Sequence, residues 1–168
     1  MSINKRNTRP KITVITAVYN CHKFIERAIL SVLNQSYDNI EFIIIDGGSS
    51  DGTVDIIKKY ETNINFWLSA KDNGIYDAWN KGILNSSGKW ISFLGADDMY
   101  YPNAIENYVL MINKNNNLQY ISSKVRLISK AGEHLQTVGA AWSWPNFKKN
   151  MNIAHVGSLH NRSMFNEK

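Results

Sequence analysis

Apolar residues in this chain come in short β-branched runs, separated by longer stretches in which they recur every three or four positions. "ITVITAV" (12–18) predicts a buried strand. From His22 the spacing changes: Phe24, Ile25, Ala28, Ile29, Val32 and Leu33 predict a helix to about Gln35. "IEFIII" (40–45) is a second strand, and Asp51 is placed to cap a helix through Tyr60 with Val54, Ile57 and Tyr60 inward. "NFWLS" (65–69) predicts a third strand, "GIYDAWNKGIL" (74–84) a helix despite Gly82, and "KWISFLG" (89–95) a fourth strand. A helix follows Pro102, with Ile105, Tyr108, Val109 and Ile112 on one side.

Strand and helix thus alternate four times, which predicts an α/β domain with a mostly parallel sheet and helices on both faces. After about residue 118 the pattern breaks. "YISSKVRLIS", "KAGE" and "HLQTVG" predict an antiparallel hairpin, and the aromatic, basic remainder is expected to be irregular.

Composition adds limits. The 168 residues fit one domain, with 43% hydrophobic and 20% charged residues. Cys21 is the only cysteine, so no internal disulfide forms and a reducing, cytoplasmic setting is expected. No apolar run reaches the ~20 residues of a membrane span. The basic start "MSINKRNTRPK" lacks the apolar core of a signal peptide and is expected to be a polar tail. The net charge of +5 suits anionic partners, but the lysines are scattered as on an ordinary solvated surface.

In an open parallel sheet, ligands bind outside the carboxyl ends of the strands. Tyr19 and Asn20 follow the first strand, Asp46 and "GGSS" the second, Asp72 the third, and Ala96, Asp97 and Asp98 the fourth. Any one aspartate can be a turn or cap residue; three at one edge indicate a site. Asp46 can accept hydrogen bonds from a base or ribose, while Gly47 and Gly48 let a ligand lie against the backbone or simply shape a tight turn. Asp97 and Asp98 repel one another unless neutralised. Mg²⁺ or Mn²⁺ shared with a nucleotide diphosphate does this; the plainer reading is an acidic turn.

Other chemistries fit worse. The chain has no GxxxxGK[ST], GxGxxG, CxxC or HExxH pattern. Trp142 and Trp144 could stack on bases, pack on the sheet or face a sugar. Nucleic acid is not expected as a partner, because strand-end acids repel phosphate without a metal. A sugar nucleotidyltransferase would need a basic glycine-rich loop near the start, where this chain has "TAVYNCHKF".

"TVITAVYN", "SVLNQSYDNIEFIIIDGGSSDGT", "GIYDAWNKGI" and "WISFLGADD" resemble the family 2 glycosyltransferases, in order and at ordinary spacing over residues 10–115. "MNIAHVGSLHNRSMF" resembles the following segment in a bacterial branch making lipopolysaccharide or capsular sugars. The resemblance implies the Rossmann-like GT-A fold and inverting sugar transfer from a nucleotide-sugar donor, UDP-linked in many members. The acceptor is a saccharide or lipid-linked molecule. Thr16, Ala17, Tyr19 and Asn20 match the nucleotide-pocket motif, and Asp46, followed by Gly47 and Gly48, matches the base contact. Asp72, Gly74, Asp77 and Asn80 match the segment beside ribose and diphosphate. Ala96 and Asp97 close the donor set, and Asp97 with Asp98 match the metal motif, whose first acid is replaced by Gly95.

The family's catalytic base is an Asp beyond the metal motif, and no Asp follows Asp98. The remaining carboxylates are Glu106, Glu133 and Glu167; His155 and His160 are imidazole candidates. The expectation is a glycosyltransferase domain cut short, with residues 11–115 as the nucleotide-sugar half, 116–168 as a partial acceptor half and the base beyond Lys168. His155 and Glu133 are the weaker candidates for that base. A non-catalytic nucleotide-sugar-binding module is the alternative. Lys148, Lys149 and Arg162 suggest peripheral contact with the inner membrane surface.

Overall fold

The computed structural model describes residues 8–140, 143–149 and 154–165. Its main sheet starts from β1 (Ile12–Val18), whose residues are nearly all buried, and β1 lies between β2 (Ile40–Asp46) and β4 (Trp90–Gly95). With β3 (Phe66–Ser69), β5 (Tyr120–Ser122) and β8 (Ser158–Asn161), the sheet order is β3-β2-β1-β4-β8-β5. The first four of these strands are parallel, whereas β8 runs antiparallel to both of its neighbours.

Strand alternation sends side chains to two cores. Ile12, Val14, Phe42, Ile44, Trp90 and Leu94 face one side, where α1 (Ile25–Leu33), α2 (Thr53–Lys59) and α4 (Ala104–Lys114) cover them. Ile15, Ile43, Ile45, Ile91 and Phe93 face the other, beneath α3 (Ile75–Leu84). Each such side chain, once fully buried, contributes ~1.5–3 kcal/mol. Helices therefore lie on both faces, as the alternation predicts.

The expected boundaries hold to within a few residues, with two changes at helix starts. α1 begins at Ile25 rather than near His22, because the Phe24 and Ile25 N–H groups both close turns onto the Cys21 carbonyl. Gly52, at φ +94°, takes the cap position of α2, and the Asp51 carboxylate bonds Thr53 just inside it.

Beyond α4 the expectation needs two corrections. "YISSKVRLIS" is not one strand. Tyr120–Ser122 joins the main sheet, and only β6 (Val125–Ile128) pairs with β7 (His134–Val138) as the antiparallel hairpin. The break falls just after Ser123, whose N–H donates to the Gly157 carbonyl at 2.7 Å as the last step of the β5–β8 ladder. The tail is not wholly irregular either: β8 inserts between β4 and β5. It is four residues long and its one large apolar residue, Leu159, is fully buried. Among the described residues no helix is long and apolar enough to cross a membrane.

Candidate functional site at the carboxyl edge of the sheet

Sheet register brings the strand ends to one rim. Val18 pairs with Asp46, and Ala17 pairs with Gly95 on the opposite neighbour. The residues following β1, β2 and β4 therefore emerge side by side.

Asp46 is wholly buried. Its Oδ2 accepts the Gly48 N–H (3.0 Å), the Ser49 N–H (2.9 Å) and the Ser69 hydroxyl (2.6 Å); its Oδ1 accepts the Ser49 hydroxyl (2.5 Å). The carboxylate where the resemblance implies a base contact is thus saturated by the chain's own donors. The glycines after it serve a close approach of the same kind. A Cβ on Gly47 would lie 2.9 Å from Asp72 Oδ2, and Gly48, at φ +85°, abuts the Lys71 backbone. The turn after β2 and the loop after β3 are thereby packed together.

Asn20 ties in the first loop. It sits at φ +47°, a region asparagine tolerates. Its N–H donates to the Ser49 hydroxyl at 2.7 Å and its Oδ1 accepts the Ser50 N–H at 3.0 Å. Thr16 is buried, and its hydroxyl has no partner among the described residues. Ala17, Tyr19, Asp72 and Gly74 line a cavity of about 230 Å³ with Val18, Ile75 and Ala78. Tyr19 is two-thirds exposed at its mouth.

The start of α3 is held locally. Asp72 Oδ1 accepts the Gly74 N–H at 2.9 Å. Asp77 Oδ2 accepts the Asn73 N–H and lies 3.0 Å from Lys81 Nζ; these contacts, the Asn73 bond first, lower its pKa. Asn80 is exposed on the same helix.

At the end of β4 the backbone turns, with the Asp98 N–H donating to the Gly95 carbonyl at 3.1 Å. Asp98 Oδ2 and Asp97 Oδ1 both gather over Gly95, at 2.5 and 3.2 Å from where its Cβ would be. Ala96 is buried between them and the core. Burial, and then the Asp97 charge, raise the Asp98 pKa. Burial first, then Asp97 and Asp51, raise the Cys21 thiol, so the loop after β1 also lies within the field of Asp97. Two close carboxylates, one of them half-buried, match a hard divalent cation. Among the described residues no three His, Cys, Asp or Glu side chains gather as a complete metal cage. Phosphate oxygens and water would have to complete the shell.

A second cavity, of about 260 Å³, includes both acids in its lining. It is lined by Asp97, Asp98 and Tyr100 after β4 and by Lys124, Val125 and Arg126 at the start of the hairpin. Motif reading did not single out these hairpin residues, since alternating basic side chains on a short strand look like any solvated edge.

The base candidates lie elsewhere. The His155 ring stacks on Phe93 (centroids 5.7 Å apart, planes 11°) and tilts against Trp79 at 4.8 Å, with its pKa lowered by burial. Glu133 sits in the hairpin turn, its carbonyl accepting the Ser129 N–H at 2.8 Å. Neither lines the two cavities. Buried His160, its pKa lowered by burial first, has no partner at Nδ1 among the described residues. Glu106 lies on α4 and accepts the Ser36 hydroxyl at 2.7 Å. The Arg162 guanidinium is engaged by the Gly88 carbonyl and the Ser86 hydroxyl. Lys148 Nζ lies 5.2 Å over the exposed Trp144 ring. Trp142 and Glu167 fall outside the described residues.

The model of glycosyl transferase family 2 matches residues 13–163. The chain belongs to that family. An uncharacterized glycosyltransferase of Rickettsia typhi is 39% identical over 118 residues, covering 70% of this chain and 37% of its own length. One from Haemophilus influenzae is 29% identical over 165 residues, covering 92% of this chain and 51% of its own. A putative teichuronic acid biosynthesis glycosyltransferase of Bacillus subtilis, TuaG, is 36% identical over 103 residues, 60% of this chain and 41% of its own. The chain therefore spans about a third to a half of these relatives. Among solved structures, S. aureus TarS 1–349 in complex with UDP-GlcNAc superposes with a TM-score of 0.69 at 18% identity, covering 92% of this chain and 46% of that one. Mannosyltransferase PcManGT from Pyrobaculum calidifontis, in complex with GDP-Man and Mn²⁺, gives 0.64 at 21%, covering 71% and 36%. The fold of this family 2 member is GT-A.

Proposed function

We propose that this glycosyltransferase domain holds a nucleotide-diphosphate sugar, UDP-linked, with Mg²⁺ or Mn²⁺ at Asp97 and Asp98, for inverting transfer to a saccharide or lipid-linked acceptor in cell-surface polysaccharide synthesis. The observation that carries the reading is the convergence of both carboxylates over Gly95, at the rim shared with the loop after β1. The nucleotide lies in the cavity of Ala17, Tyr19, Asp72 and Gly74, with Tyr19 available to stack on the base. Asp46 acts from behind, fixing Gly47 and Gly48 so that the pocket wall is formed before the donor arrives. Residues 11–115 supply this donor half, and peripheral contact with the cytoplasmic face of a membrane would suit a lipid-linked acceptor. The UDP-GlcNAc bound to TarS, the Mn²⁺ and GDP-Man bound to PcManGT, and the polysaccharide role in TuaG's name support the reading.

A divalent ion, when bound, stabilises negative charge on the departing diphosphate. Asp97 and Asp98 orient the diphosphate end of the donor, leaving the anomeric carbon open to the acceptor on its far side. The acceptor hydroxyl forms the new glycosidic bond as the bond to phosphate oxygen breaks, and its proton passes to a base. Isothermal titration tests the donor half: UDP should bind in Mn²⁺ and weaken on Asp97→Asn. Equal affinity with and without metal would refute the metal role, and absence of nucleotide binding under any condition would refute the reading.

One observation favours the alternative of binding without transfer by this chain alone. The described carboxylates after Asp98 lie on α4 and in the hairpin turn, and line neither cavity. Mass spectrometry of sugar transfer, comparing this chain with the full gene product, separates the two.

A further inference from the structure

We infer that the cavity between the acid pair and the hairpin binds the acceptor through an anionic group, a carboxylate or phosphate, held by Lys124 and Arg126. The inference rests on the donor reading above and extends it to the acceptor's chemical class.

The argument begins with the cavity's polarity. Asp97 and Asp98 from the turn after β4 and Lys124 and Arg126 from the hairpin line the same cavity. Opposite charges that share a cavity usually close into ion pairs when the chain can move. Here neither cation makes an ion pair among the described residues.

Both contributing segments are held by their own contacts. The Gly157 carbonyl accepts the Ser123 N–H at 2.7 Å and the Tyr108 hydroxyl at 2.9 Å, pinning the start of β6 to α4. A Cβ at Gly157 would lie 2.7 Å from Val125 Cγ2, so that seam is closed. On the acid side, the Tyr100 and Ser92 hydroxyls bond at 2.6 Å. The backbone on each side is therefore fixed by packing.

Such an arrangement selects an oriented ligand. With the metal's free positions taken by the donor's diphosphate, a second oxyanion beside Asp97 and Asp98 meets only negative charge, whereas at the hairpin it meets two cations that have no ion-pair partner among the described residues. Arg126 can grip a carboxylate or phosphate through two parallel N–H bonds. An acceptor seated this way turns its uncharged hydroxyl end toward the acids, where the donor's anomeric carbon would be presented. A neutral acceptor would leave both cations without a partner. The same oxyanion chemistry could come from the donor's own diphosphate, so the test must separate the two sources.

The chain with Lys124→Ala and Arg126→Ala together should fold normally, since both side chains are exposed. Its amide spectrum is followed by NMR while glucuronate, glucose 6-phosphate or glucose is added, and UDP affinity in Mn²⁺ is measured separately. In the unaltered chain, both anionic probes should shift residues 123–128 saturably and glucose should not. The double variant should weaken the anionic probes by about tenfold or more while changing UDP affinity by less than about twofold. Arg126→Lys should recover part of the loss. Equal response to glucose and glucuronate would overturn the inference, as would a comparable loss of UDP affinity, which would assign the cations to the donor. If UDP failed to bind while glucuronate still shifted the hairpin, the donor reading would fall and this site would stand.

Discussion

Asp98 occupies the space a side chain at Gly95 would need: a Cβ there would lie 2.5 Å from Asp98 Oδ2. The metal motif this chain resembles begins with an acid, and this chain has glycine in its place. The missing side chain leaves room for the later carboxylate to fold back over the strand end. Gly95→Ala should push Asp98 away and weaken Mn²⁺-supported UDP binding by about tenfold, the scale seen when a ligand's support is removed. Metal-free binding should not change. Titration calorimetry of the variant with and without Mn²⁺ checks both halves, and wild-type affinity in Mn²⁺ would contradict the packing argument.

Asp46 predicts a stability effect that needs no ligand. Four donors converge on its carboxylate. Asp46→Ala removes all four of these bonds, and a hydrogen bond to a charged group contributes ~1.5–3 kcal/mol. The nucleotide-free protein should lose ~3 kcal/mol or more, read as a fall in the urea midpoint. Asp46→Asn keeps the oxygen that takes three of the donors and should lose about a third as much. A fully stable Asp46→Ala protein would reassign the residue from scaffold to ligand contact.

Gly82 lies inside α3, where alanine would ordinarily stabilise by ~1 kcal/mol. Its Cβ would meet Ile15 Cγ2 at 2.5 Å. Overpacking should outweigh propensity, so Gly82→Ala should destabilise by ~1–3 kcal/mol. Ile15→Ala in the same chain removes the clashing methyl. Denaturant titration of the two singles and the double should show a smaller total loss than the sum of the singles.

The part of the fold that periodicity could reveal is the part whose contacts are local. β1 to α4 announce themselves through alternating and helical spacing, and the structure agrees to within a few residues at their ends. β8 could not be read this way. Its four residues carry one large apolar side chain, and its partners Trp90–Ser92 and Tyr120–Ser122 lie far off in sequence. Ser123 hid the break in "YISSKVRLIS" for a similar reason, since its defining bond is to Gly157. At the rim, the acids themselves were legible as strand-end residues. Saturation of Asp46 was not, because Ser69, which supplies one donor, belongs to a different strand. The basic wall at Lys124 and Arg126 emerges only once the hairpin folds against the acid turn.

Asp51 makes the pH dependence of folding testable. Its carboxylate accepts the Thr53 hydroxyl at 2.5 Å, the His22 N–H at 3.0 Å and the Thr53 N–H at 3.1 Å, tying the entry of α1 to that of α2. These bonds, the Thr53 hydroxyl first, lower its pKa from 3.8 to about 2. The native state therefore binds the proton less readily than the unfolded chain. The resulting stabilisation is complete above the unfolded value near 3.8 and is lost as pH falls toward about 2. Asp51→Asn should flatten the stability profile across that window and leave its slope above about pH 5 unchanged. Thr53→Val, which removes the largest cause, should raise the Asp51 pKa in an NMR titration. A variant whose acid limb matches the wild type would show that other carboxylates set it.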